Sequence, residues 1–330
     1  MGINIAFTSV GRRVELLRLF RRAYQDLGLD GQIIALDIDP LAPALQVADG
    51  RYIVPRLDDP DFIPTLAEIC RREHVNLILP RIDADLLVLC KGRQEIEQTG
   101  ARLVMVSPEA AALACDKWRT CEFFRKLGLP TPRSWLADLD IHSVPYPLFI
   151  KPRFGNGGTD AFKVDNPREL EFFMNYVPQP IVQELVSGPE ITTDVICDLN
   201  GDVLAAVSRQ RIEVRSGEVA KGVTIREPQI IDACVQIARE LPAIGPINVQ
   251  CMLKDGQPCF TEINARLGGG VSLGVRAGAD WPRWFLARVA GLEVEIPPLG
   301  SYQTGLFLSR YDDSYFLTEA DRERMAGHRL

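Results

Sequence analysis

The first hundred residues alternate short apolar segments with amphipathic ones. Residues 3–8 and 32–37 are apolar and short enough for buried strands, whereas residues 12–27 carry apolar side chains at helical spacing. A strand, a helix and a second strand in this order require a parallel pair with a right-handed crossover. The same alternation continues through further predicted strands at 51–55, 75–80 and 102–106 and helices at 61–73 and 85–98. The sequence therefore predicts a parallel α/β domain over residues 1–107.

The first turn of this domain restricts its function. The predicted domain is Rossmann-like, but Ser9-Val10-Gly11 lacks the GxGxxG fingerprint, which disfavours a nicotinamide dehydrogenase. Asp37, at the end of the second strand, is interpreted as capping a loop. Basic side chains at the start of the first helix are interpreted as a solvated face: Arg12, Arg13, Arg18, Arg21 and Arg22.

The second half of the chain is richer in strands. The pattern predicts them at 147–151, 161–164, 181–185, 191–199, 203–213, 247–253, 258–264 and 304–310. Asn200-Gly201 predicts a hairpin turn, and a second hairpin is expected across residues 254–257. Helices are expected at 115–127, 168–177, 227–241 and 280–290.

Charge and composition exclude several classes of function. A net charge of −7 and a pI near 5.2 argue against binding to a nucleic-acid backbone. No apolar run approaches the ~20 residues that span a bilayer, and the N-terminus does not resemble a signal peptide, so a cytoplasmic location is expected. The eight cysteines form no CxxC pair and the three histidines are far apart. A zinc site and a Ser-His-Asp triad are therefore disfavoured.

The stretch from Thr261 to Gly270 (TEINARLGGG) carries the clearest chemical signal. Side chains alternate along a strand, so Glu262, Asn264 and Arg266 share one face. A carboxylate and an amide oxygen two residues apart suit Mg²⁺, and a guanidinium beside them suits an anion. An edge strand with ordinary polar residues is the alternative.

Two upstream lysines could supply phosphate-binding charges. Lys151 closes an apolar strand and precedes a loop containing Gly155, Gly157 and Gly158. Such a loop can bring backbone N–H groups close to phosphate oxygens, although a hairpin turn has a similar composition. Lys117 opens an amphipathic helix and, taken alone, is more often a surface lysine.

Three further positions bear on the same chemistry. The segment from Val182 to Glu190 could link two subdomains, its free backbone groups holding a purine edge and Glu190 a ribose hydroxyl; a plain strand and turn is the alternative. Arg209 and Arg211 share a strand face, with Lys221 beyond a turn. These cations are expected to be met either by a substrate carboxylate or phosphate or by solvent. Hairpin pairing would place Gln250, Cys251 or Met252 opposite Glu262 to Asn264.

These residues together resemble the ATP-grasp superfamily, in particular its carboxylate–amine ligases, the synthetase subunits of carbamoyl phosphate synthase and the single-grasp ligases of pyrrolysine biosynthesis. Four segments carry the resemblance, in the order and approximate spacing of the family: DKWRTCEFFRKLGLPTP, FIKPRFGNGG, VQELVSGPE and NVQCMLKDGQPCFTEINARLGGG. The implied fold is a Rossmann-like pre-ATP-grasp domain (1–107) followed by an ATP-grasp domain (108–330) of two α+β subdomains. Its small lid subdomain would span about 116–186, and its C-terminal subdomain about 187–330.

The resemblance also implies roles for individual residues. Lys117 and Lys151 would bind the phosphates of ATP beneath the lid loop Gly155–Gly158. The adenine would be held by Glu184, Leu185 and Val186, and the ribose by Glu190. Mg²⁺, or alternatively Mn²⁺, would be bound by Glu262 and Asn264 with Gln250. Arg266 would stabilise the developing acyl phosphate, with Lys151 and Arg211 as further catalytic residues.

The expected function is an ATP-dependent, carbon–nitrogen bond-forming ligase that joins a small-molecule carboxylate to an amine. The alternatives are phosphorylation of bicarbonate or carbamate, a kinase-like outcome, and a non-catalytic nucleotide-binding regulator. No nucleic-acid or membrane partner is expected, and a homodimer is a family-level expectation. Substrate choice is assigned from position to Arg81, Asp83, Arg209, Arg211, Lys221, Ser272 and Arg276.

Overall fold

Three β-sheets organise the chain in a computed structural model that describes residues 2–136, 138–155 and 157–326. The first sheet has the order β3-β2-β1-β4-β5, with every pair parallel. Its strands are β1 (Ile5–Phe7), β2 (Ile33–Asp37), β3 (Gly50–Ile53), β4 (Leu77–Leu79) and β5 (Arg102–Leu103). Around it lie the helices α1 (Val14–Leu27), α2 (Phe62–Arg72), α3 (Asp83–Lys91) and α4 (Arg93–Glu97), and a 3₁₀ turn at Pro43–Val47. The predicted parallel α/β arrangement is confirmed.

Two details of this first sheet bear on the predictions. The single helix expected at 85–98 is interrupted at Gly92, which ends α3 and precedes α4. A Cβ at this position would lie 2.5 Å from Ile63 Cδ1, so the close packing there requires glycine. Asp37 does cap its loop, because its carboxylate accepts hydrogen bonds from the backbone N–H groups of Gly11 (2.7 Å) and Asp39 (3.0 Å).

A small antiparallel sheet of order β6-β9-β7-β8 follows. Two helices, α5 (Pro108–Ala114) and α6 (Lys117–Lys126), lead into it. Its elements are β6 (Ser134–Trp135), β7 (Leu148–Pro152), β8 (Phe162–Val164), α7 (Pro167–Tyr176) and β9 (Pro180–Glu184). It has an apolar core of its own, formed by Val144, Leu148, Ile150, Val164, Leu170, Val177 and Val182.

The third sheet is antiparallel, with the order β14-β13-β10-β11-β12-β15. Its strands are β10 (Glu190–Cys197), β11 (Val203–Arg215), β12 (Glu218–Ile225), β13 (Pro246–Lys254), β14 (Gln257–Asn264) and β15 (Phe307–Ser309). Its helices are α8 (Pro228–Glu240), α9 (Val271–Arg276) and α10 (Trp281–Ala290), and α11 (Glu319–Ala326) follows the last strand. Among these elements, strand β12 and helices α9 and α11 were not predicted from the sequence pattern.

The β13–β14 hairpin sets the register of the polar stretch. Its two turn residues, Asp255 and Gly256, both have positive φ (50° and 77°), as a type I′ turn requires. Gln250, one of the three residues considered from the sequence, faces Glu262, and Asn264 faces Asn248. A β-bulge at the step from Gln250 to Cys251 leaves Thr261 outside this pairing, and bulges of this kind re-aim neighbouring side chains.

The main hydrophobic core runs without interruption from the first sheet to the third. Phe20 of α1 packs edge-on against Trp281 of α10 at 5.3 Å, and Phe124 of α6 packs against Phe260 of β14 at 5.7 Å between ring centroids. Helix α6 therefore packs on the third sheet, and its Cys121 also contacts Gln183 and Ser134 of the small sheet. The proposed domain bounds stay a prediction. Within the described ranges, no helix is both long and apolar enough to cross a lipid bilayer.

Candidate active site

The two predicted phosphate lysines and the glycine loop meet where the second and third sheets face each other. Lys117, at the first turn of α6, donates from Nζ to the carbonyl oxygen of Gly155 at 2.6 Å. Its backbone N–H donates to the carbonyl of Arg153 at 3.1 Å. The lysine that looked like an ordinary surface residue is thus buried and holds the glycine loop. Asn156 of this loop lies outside the described residues.

Asp116 fixes the position of this lysine. Its carboxylate caps α6 by accepting from the N–H of Trp118 (3.0 Å) and forms an ion pair with Arg153 (2.6 Å). Burial would raise the pKa of Asp116, but the hydrogen bonds from Arg153 and the helix N–H groups outweigh it and lower the pKa. The carboxylate is therefore ionised, and it ties the start of α6 to the end of β7.

Lys151 lies within electrostatic reach of several proposed site residues. Burial lowers its pKa, the neighbouring Lys117 lowers it further, and Glu262 and Glu190 oppose the shift. Among the described residues, its ammonium group has no hydrogen-bond or ion-pair partner, although it lies 5.8 Å from the centre of the Phe149 ring. A partly desolvated cation of this kind is suited to an anionic ligand.

The polar face of β14 brings together the oxygens proposed for a metal. Gln250 lies beside Glu262 by register, and Asn264 is 5% exposed. The Oδ1 atom of Asn264 accepts from Arg266 Nη2 at 3.1 Å, and the same nitrogen pairs with Asp83 at 2.7 Å. Arg266 thus joins β14 to the start of α3 at the edge of the first sheet.

This donor set fits Mg²⁺ in chemical type. It offers one carboxylate and two amide oxygens, and Mg²⁺ takes few protein oxygens while keeping waters and substrate phosphates. Within the part of the chain that is described, three or more His, Cys, Asp or Glu side chains do not cluster as a metal site. A metal on Asn264 would compete with Arg266 for the amide oxygen.

The eight cysteines are free thiols, and burial raises the pKa of Cys115 and Cys259 to about 11.

The proposed adenine segment follows β9. The Glu184 carboxylate is paired with Arg133 and Lys254, each at 3.5 Å, so this side chain holds the strand end. Leu185 and Val186 are half-buried beyond the strand. Glu190, proposed for the ribose, pairs with Arg211 at 2.5 Å.

Arg209 does not have the role considered for it from the sequence. It is 3% exposed and forms a buried ion pair with Asp194, which also accepts from Asn248 Nδ2 at 2.6 Å. A Cβ at Gly270 would lie 2.6 Å from its Nε atom, so the arginine supports the glycine turn from beneath. The expectation that Arg209 and Arg211 are two unpaired cations is wrong, because a protein carboxylate meets each of them.

A cavity of about 760 Å³ adjoins the same glycine turn, between α1 and the third sheet. Three of the residues assigned to substrate choice, Arg81, Ser272 and Arg276, line it, whereas Lys221 forms an exposed ion pair with Glu213 (2.7 Å) elsewhere; their role in substrate choice stays a prediction. Residues that the sequence interpretation did not assign to a site also line it: Arg12, Arg13, Arg18, Glu218 and Arg310. Arg12 and Arg18 are exposed, as interpreted from the sequence, although both line the cavity; the interpretation is wrong for Arg13, which is largely withdrawn from solvent and paired with Glu218. The place of these arginines directly after the first strand and turn, where open α/β sheets bind ligands, was the available signal.

The tip of the β11–β12 hairpin touches the glycine loop. A Cβ at Gly217 would lie 2.9 Å from Gly157 Cα, and the Gly217 carbonyl accepts from Arg211 Nη2 at 2.9 Å. The adjacent Glu218 reaches the arginine-lined cavity. One hairpin tip therefore contacts both the glycine loop and the cavity.

Comparison with known proteins places this geometry in a family. The model of the PylC-like N-terminal domain matches residues 5–104, and the model of the ATP-grasp domain matches residues 114–270. Since the two together match most of the chain, it belongs to the ATP-grasp superfamily, and the predicted family and fold are confirmed.

Individual relatives are more distant. The chain is 26% identical over 223 residues to the carbamoyl phosphate synthase large chain of Campylobacter jejuni, which covers 59% of this chain and 20% of that protein. The chain spans between a fifth and about half the length of the curated relatives that it matches. These identities leave the substrates open.

Solved structures show the same fold. The biotin carboxylase domain of 2-oxoglutarate carboxylase from Hydrogenobacter thermophilus superposes with a TM-score of 0.72 at 18% identity, covering 92% of this chain and 73% of that one. The L-amino acid ligase from Bacillus licheniformis gives a TM-score of 0.68 at 20% identity, covering 90% and 77%. The first of these was solved with MgADP and bicarbonate bound.

Proposed function

We propose that the chain is an ATP-dependent ligase that activates a carboxylate as an acyl phosphate and joins it to an amine, releasing ADP and phosphate. The observation that carries this proposal is the convergence of Lys117, Lys151 and the glycine loop on the polar face that bears Glu262. Two cations and a loop of backbone N–H groups opposite a carboxylate–amide pair form a site for a metal-bound polyphosphate.

The proposed roles follow from these positions. Lys151, which forms no ion pair with a described residue, binds and neutralises the transferred phosphoryl group, and Lys117 holds the loop over it. Glu262, Asn264 and Gln250 would hold Mg²⁺, or alternatively Mn²⁺. When bound, the ion neutralises phosphate charge and orients the β- and γ-phosphates.

Recognition of the nucleoside is assigned to the segment after β9. The N–H of Leu185 donates to the Pro147 carbonyl at 3.4 Å, so the carbonyl of Leu185 and the backbone groups of Val186 are proposed to bind the adenine edge, beside the anchored Glu184. Glu190 is proposed for the ribose, where Arg211 holds its carboxylate in place.

The reaction needs positioning more than covalent help from the protein. A substrate carboxylate oxygen attacks the γ-phosphorus of ATP as the bond to ADP breaks. The amine then attacks the acyl carbon, phosphate leaves, and the amine loses a proton to solvent. Arg266, placed between Asn264 and Asp83, is proposed to orient the carboxylate and stabilise the acyl phosphate.

A second candidate is phosphorylation of bicarbonate or carbamate. It is favoured by the curated relatives, which are named carbamoyl phosphate synthases.

The homodimer remains part of the proposal and is tested by the mass of the protein in solution.

An ADP-release screen tests both candidates. The full chain, MgATP and pairs of carboxylates and amines are combined, with bicarbonate plus ammonia as one pair. We expect release that requires both partners of one organic pair and falls at least a hundredfold in Lys151→Gln. Arg71→Gln, an exposed residue paired with Glu68, is the control and should match the parent protein. Turnover with bicarbonate and ammonia alone would favour the second candidate, and failure to bind ATP would refute both.

A further inference from the structure

The arginine-lined cavity has more positive charge than its protein anions neutralise. Seven arginines and four acidic residues line it. One carboxylate, Glu218, serves three of those arginines: it pairs with Arg12, Arg13 and Arg310. Burial alone would raise the pKa of Glu218, yet these arginines lower it to about 2.

Arg81 is the most constrained of these cations. Its side chain is 2% exposed, its Nη1 donates to the Leu267 carbonyl at a long 3.4 Å, and its Nε has no partner among the described residues. Burial, then Arg13 and Arg266, lower the pKa of Arg81 to about 9, against the opposing Asp85 and Glu218. A guanidinium does not lose its proton in a protein. A bound anion is therefore the remaining way to offset its burial.

The carboxylates near Arg81 are already engaged. Asp85 accepts from the hydroxyls of Thr8 (2.8 Å) and Ser9 (2.7 Å) and from the backbone N–H of Arg81 (3.0 Å). Glu15 pairs with Arg276 at the exposed rim. The other two lining carboxylates, Asp312 and Asp313, are exposed. Among the described residues, the buried guanidinium of Arg81 therefore forms no ion pair with a carboxylate.

The cavity adjoins the proposed reaction centre. Gly268 and Gly269 line its wall and follow Arg266 by two and three residues, and Arg310 donates to the Gly269 carbonyl. Arg81 links the cavity to the proposed reaction centre, since its Nη1 and the Nη1 of Arg266 both donate to the carbonyl oxygen of Leu267, at 3.4 and 3.3 Å. A molecule whose carboxylate lies at Arg266 would extend its other end among Arg81, Arg13 and Arg310.

We infer that one substrate of this ligase carries a second anionic group, a phosphate monoester or a further carboxylate, and that Arg12, Arg13, Arg81 and Arg310 bind it. The inference rests on the proposed function only for the location of the reacting carboxylate. A cavity of 760 Å³ accommodates a molecule of substrate size in addition to such a group.

Calorimetric titration of the full chain tests this without turnover. The probes are glycerol 3-phosphate and citrate, with glycerol and acetate as matched controls, all at one ionic strength. We expect at least one of the first two to bind and neither control to do so. Binding of glycerol 3-phosphate alone identifies a phosphate ester, and binding of citrate alone identifies a polycarboxylate. Absence of binding by both overturns the inference.

Variants locate the binding. Arg310→Gln should weaken the probe about tenfold or more, since a hydrogen bond between charged groups is lost. The Arg12 side chain is 60% exposed, so Arg12→Gln should fold normally and should weaken binding of the probe less than Arg310→Gln does. Arg71→Gln should bind as the parent does. Unchanged affinity in both Arg310→Gln and Arg12→Gln overturns the inference.

A second measurement distinguishes the anion site from the nucleotide site. ADP affinity should be unchanged in Arg310→Gln and reduced in Lys151→Gln. The affinity for the anion probe should be reduced in Arg310→Gln and unchanged in Lys151→Gln. If the probe is lost only in Lys151→Gln, it occupies the nucleotide site and the inference is wrong. If the probe binds and ADP does not, the ligase proposal fails while the anion site stands.

Discussion

The contact between Gly217 and Gly157 predicts that a single methyl group will interfere with nucleotide binding. In Gly217→Ala the added carbon would lie 2.9 Å from Gly157 Cα and 3.2 Å from its oxygen. Carbon atoms pack best at about 3.5–4.0 Å, so the hairpin tip and the loop must separate by about 0.6–1 Å. The loop concerned is the one that Lys117 holds over the proposed phosphate site.

The free-energy cost of Gly217→Ala has two parts, one affecting stability and the other affecting nucleotide binding. A φ of +75° at Gly217 costs a residue with a Cβ about 1–2 kcal/mol, and this lowers the free energy of unfolding. The steric part, about 1–3 kcal/mol for overpacking, applies only when the loop lies against the hairpin. If nucleotide binding requires this closed arrangement, the dissociation constant for ADP should rise by about 5- to 150-fold.

Gly256→Ala is a matched control. Gly256 has a φ of +77°, but a Cβ there meets nothing within 4 Å. Both variants should lose similar stability in urea unfolding, and only Gly217→Ala should bind ADP more weakly in titration calorimetry. Equal, parent-like ADP affinity in the two variants would refute the argument that loop and hairpin are in contact in the nucleotide-bound state.

Three further outcomes are expected. Glu262→Gln should lower the rate of ADP release at least a hundredfold with an unchanged circular dichroism spectrum, because the metal carboxylate is lost; near-parent turnover at saturating Mg²⁺ would exclude that assignment. The pKa of Glu218 is lowered to about 2, so its ion pairs stabilise the fold above about pH 4.5 and are lost as the pH falls toward 2. Glu218→Gln should remove up to about 3 kcal/mol of stability at pH 7 and flatten this acid dependence, and a parent-like acid profile of the urea midpoint would contradict it. Arg209→Ala should lower the free energy of unfolding by about 3–5 kcal/mol, because it leaves Asp194 charged and buried; a change in substrate affinity alone, with parent stability, would restore Arg209 as a binding residue.

Local patterns predicted the parts of the fold that depend on neighbours in sequence. Strand alternation placed Glu262 and Asn264 on one face. The tight turn at residues 255–256 alone would set Gln250 opposite Thr261, and the β-bulge, which the sequence did not predict, moves it opposite Glu262. The parallel first sheet followed from the order of its strands and helices. Strand β12 was missed because Lys221 and Gly222 break its apolar alternation, and α9 because three glycines precede it.

Contacts between distant segments were not predictable in this way. Arg13 and Glu218 are 205 residues apart, and nothing in either segment indicates the other. The partner of Arg209 is Asp194, on the adjacent strand but not in the position directly opposite, so it depends on a diagonal contact between the strands. Sequence patterns therefore indicated which chemical groups the site contains, whereas their counter-charges required the three-dimensional structure.

Because the small sheet has an apolar core separate from the main one, the two parts of the protein should unfold with different free energies. The large core joins the first sheet to the third through Phe20 and Trp281, so deleting the first hundred residues would expose apolar surface along α10. The small sheet buries only seven residues in a core of its own. Amide hydrogens of β7 and β9 should therefore exchange with solvent through a local opening of low free energy, while those of β1 and β13 exchange only when the whole chain unfolds. The part of the protein that carries the glycine loop is thus also its least cooperative unit, and a ligand bound beneath it would slow exchange there first.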